Sequence, residues 1–120
     1  MSIVLVVEDT LTQAEMIAGI LRQAGYTVQV AGSSEEAKQK ISQQKPNLIV
    51  LDVVLPGESG FGLCRELKEH PETKDIPIVM CSTKTGEMDR FWGMKQGAAA
   101  YLTKPINPEE LVRTVGLLVK

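Results

Sequence analysis

The run Ile3-Val4-Leu5-Val6-Val7 constrains this chain more than any other feature. Its residues are continuously apolar and mostly β-branched, with no polar alternation, which predicts a strand buried on both faces. Such a strand needs cover on two sides, and parallel sheets obtain it from helices in the crossover connections. The following segments supply that cover. Thr10 opens a helical segment, with Gln13 three residues on completing a capping box, and Ala14, Ile17, Ala18 and Leu21 recur at helical spacing before Gly25 ends it. Thr27–Ala31 predicts a second strand, and Ser33 with Glu36 makes a second capping box for a helix burying Ala37 and Ile41. Pro46 stops that helix, and Asn47–Leu51 predicts the third strand.

The second half repeats the unit. Leu55-Pro56-Gly57-Glu58-Ser59-Gly60 is a turn-rich loop, with Ser59 placed to cap a helix carrying Phe61, Cys64 and Leu67. Ile76–Cys81 predicts the fourth strand, and Pro77 suits its first residues, where no ladder donor is needed. A helix from about Gly86 to Gln96 carries Met88, Phe91 and Trp92 and ends at Gly97; Ala99–Leu102 predicts a short fifth strand at the sheet edge. Asn107-Pro108-Glu109-Glu110 starts the last helix with a cap, a proline in the first turn and acids facing the positive dipole end; it buries Leu111, Val115 and Leu118. The expected fold is α/β, with five βα units, right-handed crossovers and helices on both faces of a parallel sheet. Periodicity leaves the strand order open.

Length and composition narrow the function. At 120 residues the expectation is one domain spanning residues 1–120, with a single real core. Thirteen basic against fifteen acidic residues lack the basic stripe that nucleic-acid binding needs. No apolar run reaches transmembrane length and no signal peptide precedes the first strand, so a cytoplasmic protein without membrane insertion is expected. Cys64 and Cys81 suit neither a disulfide framework nor a zinc site and read as reduced, packed thiols.

The charged residues at strand ends carry the chemistry. Glu8 and Asp9 close the first strand, Asp52 the third, and Lys104 follows the fifth. Carboxyl ends of parallel strands meet at one edge of an open α/β sheet, where ligands bind. Three acids and one cation converging there suit a hard divalent metal and chemistry on a phosphoryl group.

Glu8-Asp9, Asp52, Leu55-Pro56-Gly57, Ser82 and Tyr101-Leu102-Thr103-Lys104-Pro105, in that order and spacing, resemble the receiver domain of bacterial two-component response regulators. The stretch Asp89-Arg90-Phe91-Trp92-Gly93-Met94-Lys95-Gln96-Gly97-Ala98, leading to Tyr101, is similar to the PilH-type regulators of type IV pilus motility. The resemblance implies a doubly wound, flavodoxin-like and CheY-like sheet of strand order 2-1-3-4-5. It also implies that Asp52, exposed at its strand end, accepts a phosphoryl group from a histidine kinase, CheA-like or hybrid. Glu8, Asp9, Asp52 and the main-chain carbonyl of Val54 match the ligands of Mg²⁺, for which Mn²⁺ can substitute. Lys104 matches the lysine contacting the phosphoryl oxygens, Ser82 the hydroxyl that swings towards them, and Tyr101 the aromatic whose rotamer follows. Three carboxylates carry −3, so Mg²⁺ and Lys104 together balance the site. A cis Lys104-Pro105 peptide is implied as well.

The chain departs from the common pattern at Glu8 in place of Asp, at the apolar Val54 and at Thr83 in place of a smaller residue. The expected function is a signalling phospho-switch rather than an enzyme, monomeric or weakly dimeric. Its partner face would hold Trp92, Lys95 and Tyr101 and be read by a downstream motility or signalling protein. The competing readings are a phosphorylation-independent adaptor of the same fold and a phosphate sink for a shared kinase. Phe91 and Trp92, adjacent on one helix, cannot both face a core, and Tyr101 suits edge-strand packing as well as a switch.

Overall fold

The computed structural model describes residues 2–84 and 86–119. Its strands are β1 (Ile3–Val7), β2 (Thr27–Ala31), β3 (Leu48–Asp52), β4 (Ile78–Ser82) and β5 (Ala100–Thr103). The helices between and after them are α1 (Leu11–Gln23), α2 (Ser34–Gln43), α3 (Gly60–Glu69), α4 (Glu87–Lys95) and α5 (Pro108–Leu118). All strand pairs are parallel, and the sheet order is β2-β1-β3-β4-β5. β3, β4 and β5 each begin and end one or two residues later than the apolar runs suggest.

Alternation along each strand divides the core in two. Leu5, Val7, Ile49, Leu51, Ile78 and Met80 face one side with α2 and α3, where Ala37, Ile41, Leu63, Cys64 and Leu67 complete the packing. Val4, Val6, Leu48, Val50, Val79 and Cys81 face the other, against Ile17, Ala18 and Leu21 of α1 and Leu111 and Val115 of α5. β1, β3 and β4 therefore read as unbroken apolar runs because both of their faces are covered. Leu118 is half-buried at the margin of the second cluster.

Three of the four expected helix caps form. Ser33 Oγ accepts from Glu36 N–H (3.1 Å), Ser59 Oγ from Gly62 N–H (3.2 Å) and Asn107 Oδ1 from Glu110 N–H (3.0 Å). The reciprocal half of the α2 box reaches one residue further back, with Glu36 Oε1 accepting from Gly32 N–H (2.6 Å). The expected Thr10–Gln13 box is absent: Thr10 makes no side-chain cap, and its N–H donates to Glu8 Oε1 (3.2 Å). Gln13 is drawn away by a stronger partner, the ammonium of Lys104. A charge-assisted bond prevails over a neutral one.

Candidate functional site

The carboxyl edge of the sheet gathers the acids. Glu8 follows β1, where its N–H donates to Ala31 O (2.9 Å), and it is 3% exposed; Asp52 ends β3 and is 8% exposed; Asp9 is open to solvent. A carboxylate oxygen from each lies within 4.8 Å of the other two. Lys104 enters from beyond β5, its Nζ 2.8 Å from Glu8 Oε2 and 3.2 Å from Asp52 Oδ2, and the Lys104-Pro105 peptide is cis. All four charged residues picked out at the strand ends therefore meet. The expectation of an exposed Asp52 is corrected. The residue is buried in its ion pair with Lys104, and Val54 N–H donates to its other oxygen, Oδ1 (3.2 Å).

This edge is electrostatically loaded. Burial, with the neighbouring Asp52 adding to it, pushes the Glu8 carboxyl above its ordinary range despite the nearby ammonium. For Lys104, burial acts to lower the value, but hydrogen bonding to Glu8 and the charge of Asp52 outweigh it and hold the ammonium above its ordinary value. Three hard oxygen donors gathered this closely fit a divalent cation. The cluster is of the kind receiver domains use for Mg²⁺.

Close backbone packing holds β3's end in place. A Cβ built on Gly60 would lie 2.1 Å from the carbonyl oxygen of Asp52 and 2.8 Å from Val53 Cα, while Gly60 N–H donates to Val53 O (2.8 Å). Only glycine lets α3 start directly behind the acid. Ser34 Oγ donates to Glu58 O (3.0 Å), and Lys38 pairs with Glu58 and Glu66 (3.0 and 2.7 Å), tying the same loop to α2. Gly60 stood in the sequence only as a turn residue, and no local signal marks it as a contact with residue 52.

Ser82 and Tyr101 are both buried, and a third residue joins them. Lys84 N–H donates to Ser82 Oγ (3.1 Å), while the Tyr101 hydroxyl donates to Lys84 O (2.8 Å). Burial raises the Tyr101 phenol above its ordinary value, and Arg90 stands over its ring (5.8 Å). Above Tyr101 lies α4, whose one buried residue is Gly93. A Cβ there would meet Met80 Sδ and Tyr101 Cδ2, each at 2.9 Å. Phe91 and Trp92 both face outward, 58% and 46% exposed, and Lys95 Nζ sits 5.7 Å from the Phe91 ring centre. Tyr101 is 6% exposed, so Trp92 and Lys95 present the outer surface without it.

A parallel sheet of this order, with acids and a lysine at its carboxyl edge, is a CheY-like α/β fold. Residues 4–116 match the response regulator receiver domain, and the chain belongs to that family, whose members work with a cognate histidine kinase. Protein PilH of Pseudomonas aeruginosa is 34% identical over 119 residues, covering 99% of this chain and 98% of that protein. The phosphate regulon transcriptional regulatory protein PhoB of the same organism is 44% identical over 109 residues; the match covers 91% of this chain but 48% of PhoB. Among solved structures, chemotaxis protein CheY4 of Vibrio cholerae superimposes with a TM-score of 0.92 at 32% identity, covering 99% of each chain. The signal receiver domain of a signal transduction histidine kinase from Syntrophus aciditrophicus gives 0.91 at 33% identity, over 98% of this chain and 89% of that one. Among the described residues, no helix is long and apolar enough to cross a membrane.

Proposed function

We propose that this chain is a phospho-accepting response regulator in which Asp52 takes the phosphoryl group of a phosphohistidine kinase, CheA-like or hybrid. The P–N bond to histidine breaks as an aspartyl oxygen bonds to phosphorus. The observation that carries this reading is the seating of Asp52 between the metal-type acids Glu8 and Asp9 and the ammonium of Lys104. Glu8, Asp9, Asp52 and the Val54 carbonyl would hold Mg²⁺. When bound, the ion offsets the negative charge of the carboxylates and of the incoming phosphoryl oxygens.

Lys104 supplies the fixed cation. Phosphorylation takes Asp52 from −1 to about −2 by analogy with other phosphorylated side chains, and the ammonium follows that charge. Ser82 Oγ accepts from Lys84 N–H, and its hydroxyl proton would turn to a phosphoryl oxygen once one is in place. Movement of that hydroxyl pulls on the backbone of Lys84, whose carbonyl accepts from Tyr101, and Tyr101 packs beneath Gly93 of α4. The switched surface is then the outer face of α4, with Trp92 and Lys95, read by a downstream protein. The match to PilH along nearly its whole length supports a role in pilus-based motility.

Acetyl phosphate or a cognate kinase should add one phosphoryl mass to the wild type, detected on the intact protein. Asp52→Asn should fall to background, and a chelator should suppress labelling of the wild type. Equal label on Asp52→Asn, or label indifferent to chelation, overturns the assignment. Deleting the gene should alter pilus-driven surface motility; unchanged motility beside intact phosphotransfer removes the motility role alone.

A further inference from the structure

An ammonium group has three protons to donate and no lone pair. Lys104 Nζ has three acceptors: Glu8 Oε2 at 2.8 Å, Asp52 Oδ2 at 3.2 Å, and Gln13 Oε1. They arrive from three separate elements, the ends of β1 and β3 and the first turns of α1. Two of the three are acids that a metal ion and a phosphoryl group would claim. The third is neutral, and nothing in the proposed chemistry competes for it.

We infer that Gln13 is a positioning residue for Lys104, a neutral third point of its seat that keeps the ammonium over Asp52 while Glu8 and Asp52 change partners. The inference rests on the reading of Lys104 as the cation that meets the phosphoryl group. Its physical basis is the order of events at the edge. With Glu8 and Asp52 engaged elsewhere, a lysine on a four-carbon stem has many rotamers open to it, and holding one of them costs entropy. There is room for it to leave, because a cavity of about 310 Å³ opens beside it, lined by Gln13, Met16, Thr83, Pro105 and Ile106. An acceptor on α1 restrains it. That helix is itself anchored, since Ala14 and Ile17, on the same face as Gln13, are 1% exposed. A carboxylate at residue 13 would also hold the lysine, but would add negative charge where the phosphoryl oxygens arrive. An apolar residue would leave one proton of the ammonium unpartnered. A neutral carbonyl avoids both.

The test is a double-mutant cycle read with beryllofluoride, a mimic of the phosphoryl group, titrated by calorimetry in Mg²⁺. Gln13→Met keeps the length of the side chain and suits the apolar neighbours Met16, Pro105 and Ile106; Gln13→Ala replaces it should methionine disturb the fold. Removing one acceptor from a charged donor should weaken beryllofluoride binding by about tenfold. Lys104→Ala should weaken it at least as much, and the double variant should bind no worse than Lys104→Ala alone. A second readout needs no metal: the Lys104 ammonium proton signal should exchange slowly in the wild type and broaden or vanish in Gln13→Met. Unchanged binding in Gln13→Met beside weakened binding in Lys104→Ala overturns the inference and leaves the role of Lys104 standing. Losses that simply add in the double variant also overturn it, since Gln13 would then act independently of the lysine. Wild-type affinity in Lys104→Ala removes the reading of Lys104 and this inference with it.

Discussion

α1 and α4 both border the acidic edge, and they are attached to the sheet in opposite ways. α1 buries Ala14, Ile17, Ala18 and Leu21, two of them large aliphatics, each contributing about 1.5–3 kcal/mol on burial. α4 buries only Gly93 and leaves Met88, Phe91, Trp92 and Met94 exposed, at 75%, 58%, 46% and 47%. Gly93 also lowers helix stability by about 1 kcal/mol relative to alanine, and the position is closed to a side chain by Met80 and the Tyr101 ring. One helix is a fixed wall that carries Gln13 to Lys104. The other is a thinly held platform with an apolar outer face, the kind of surface that marks an interaction site.

The largest effect expected from this contrast is in α1. Ile17→Ala should destabilise the whole domain by about 2–5 kcal/mol, seen as a lower denaturant midpoint with one cooperative transition. A loss below roughly 1 kcal/mol would mean that α1 is no better anchored than α4. Gly93→Ala should cost about 1–3 kcal/mol by overpacking. Met80 can yield, but the Tyr101 ring is held by its bond to Lys84, so the damage should concentrate in α4. Hydrogen exchange should accelerate there and stay slow in α1; uniform acceleration would argue against a separable platform.

The two thiols sharpen the comparison further. Burial pushes Cys64 up to about 11 and Cys81 up to about 12, so both are neutral thiols near pH 8 and react only when an opening exposes them. The Cys64 thiol donates to Gln96 O (3.5 Å), the residue that caps α4, whereas Cys81 lies in β4 against the α1 and α5 face. Cys64 should therefore be modified first in native buffer, by loosening of α4. Equal rates at the two thiols would show that α4 leaves only on global unfolding. The smallest effect should come from Trp92→Ala, which should change stability by no more than about 0.5 kcal/mol because the ring is largely outside the core. A larger loss would place Trp92 among the supports of α4.

Much of this architecture was legible because it is local. Apolar runs without alternation identified β1, β3 and β4, and spacing identified the buried faces of α1, α2 and α5. Ser33, Ser59 and Asn107 were recognisable as caps because a cap and its partner lie three residues apart. The same logic misassigned Gln13. Its spacing from Thr10 fits a capping box, yet its partner is Lys104, 91 residues away. It also passed over Gly60, whose constraint comes from the carbonyl of Asp52 across a loop. The adjacent pair Phe91 and Trp92 showed a conflict without resolving it, and the docking of Gly93 resolves it by leaving both rings outside.

By itself the sequence determined the succession of strands and helices, the burial of the sheet on both faces, and the placing of Glu8, Asp9, Asp52 and Lys104 at strand ends. Those properties depend on side-chain period and on neighbours a few residues apart. The sequence also pointed to Lys104 meeting the acids at one edge, but tertiary structure alone decided the particular seat, with Asp52, Glu8 and Gln13 as its three acceptors across separations of 52, 96 and 91 residues. It alone decided that the backbone N–H and carbonyl of Lys84 join Ser82 to Tyr101 and that α4 rests on a glycine. The physical reason is that such contacts follow from strand order and from the seating of each crossover helix, which set which distant side chains share one edge of the sheet, and residue periodicity carries no information about either.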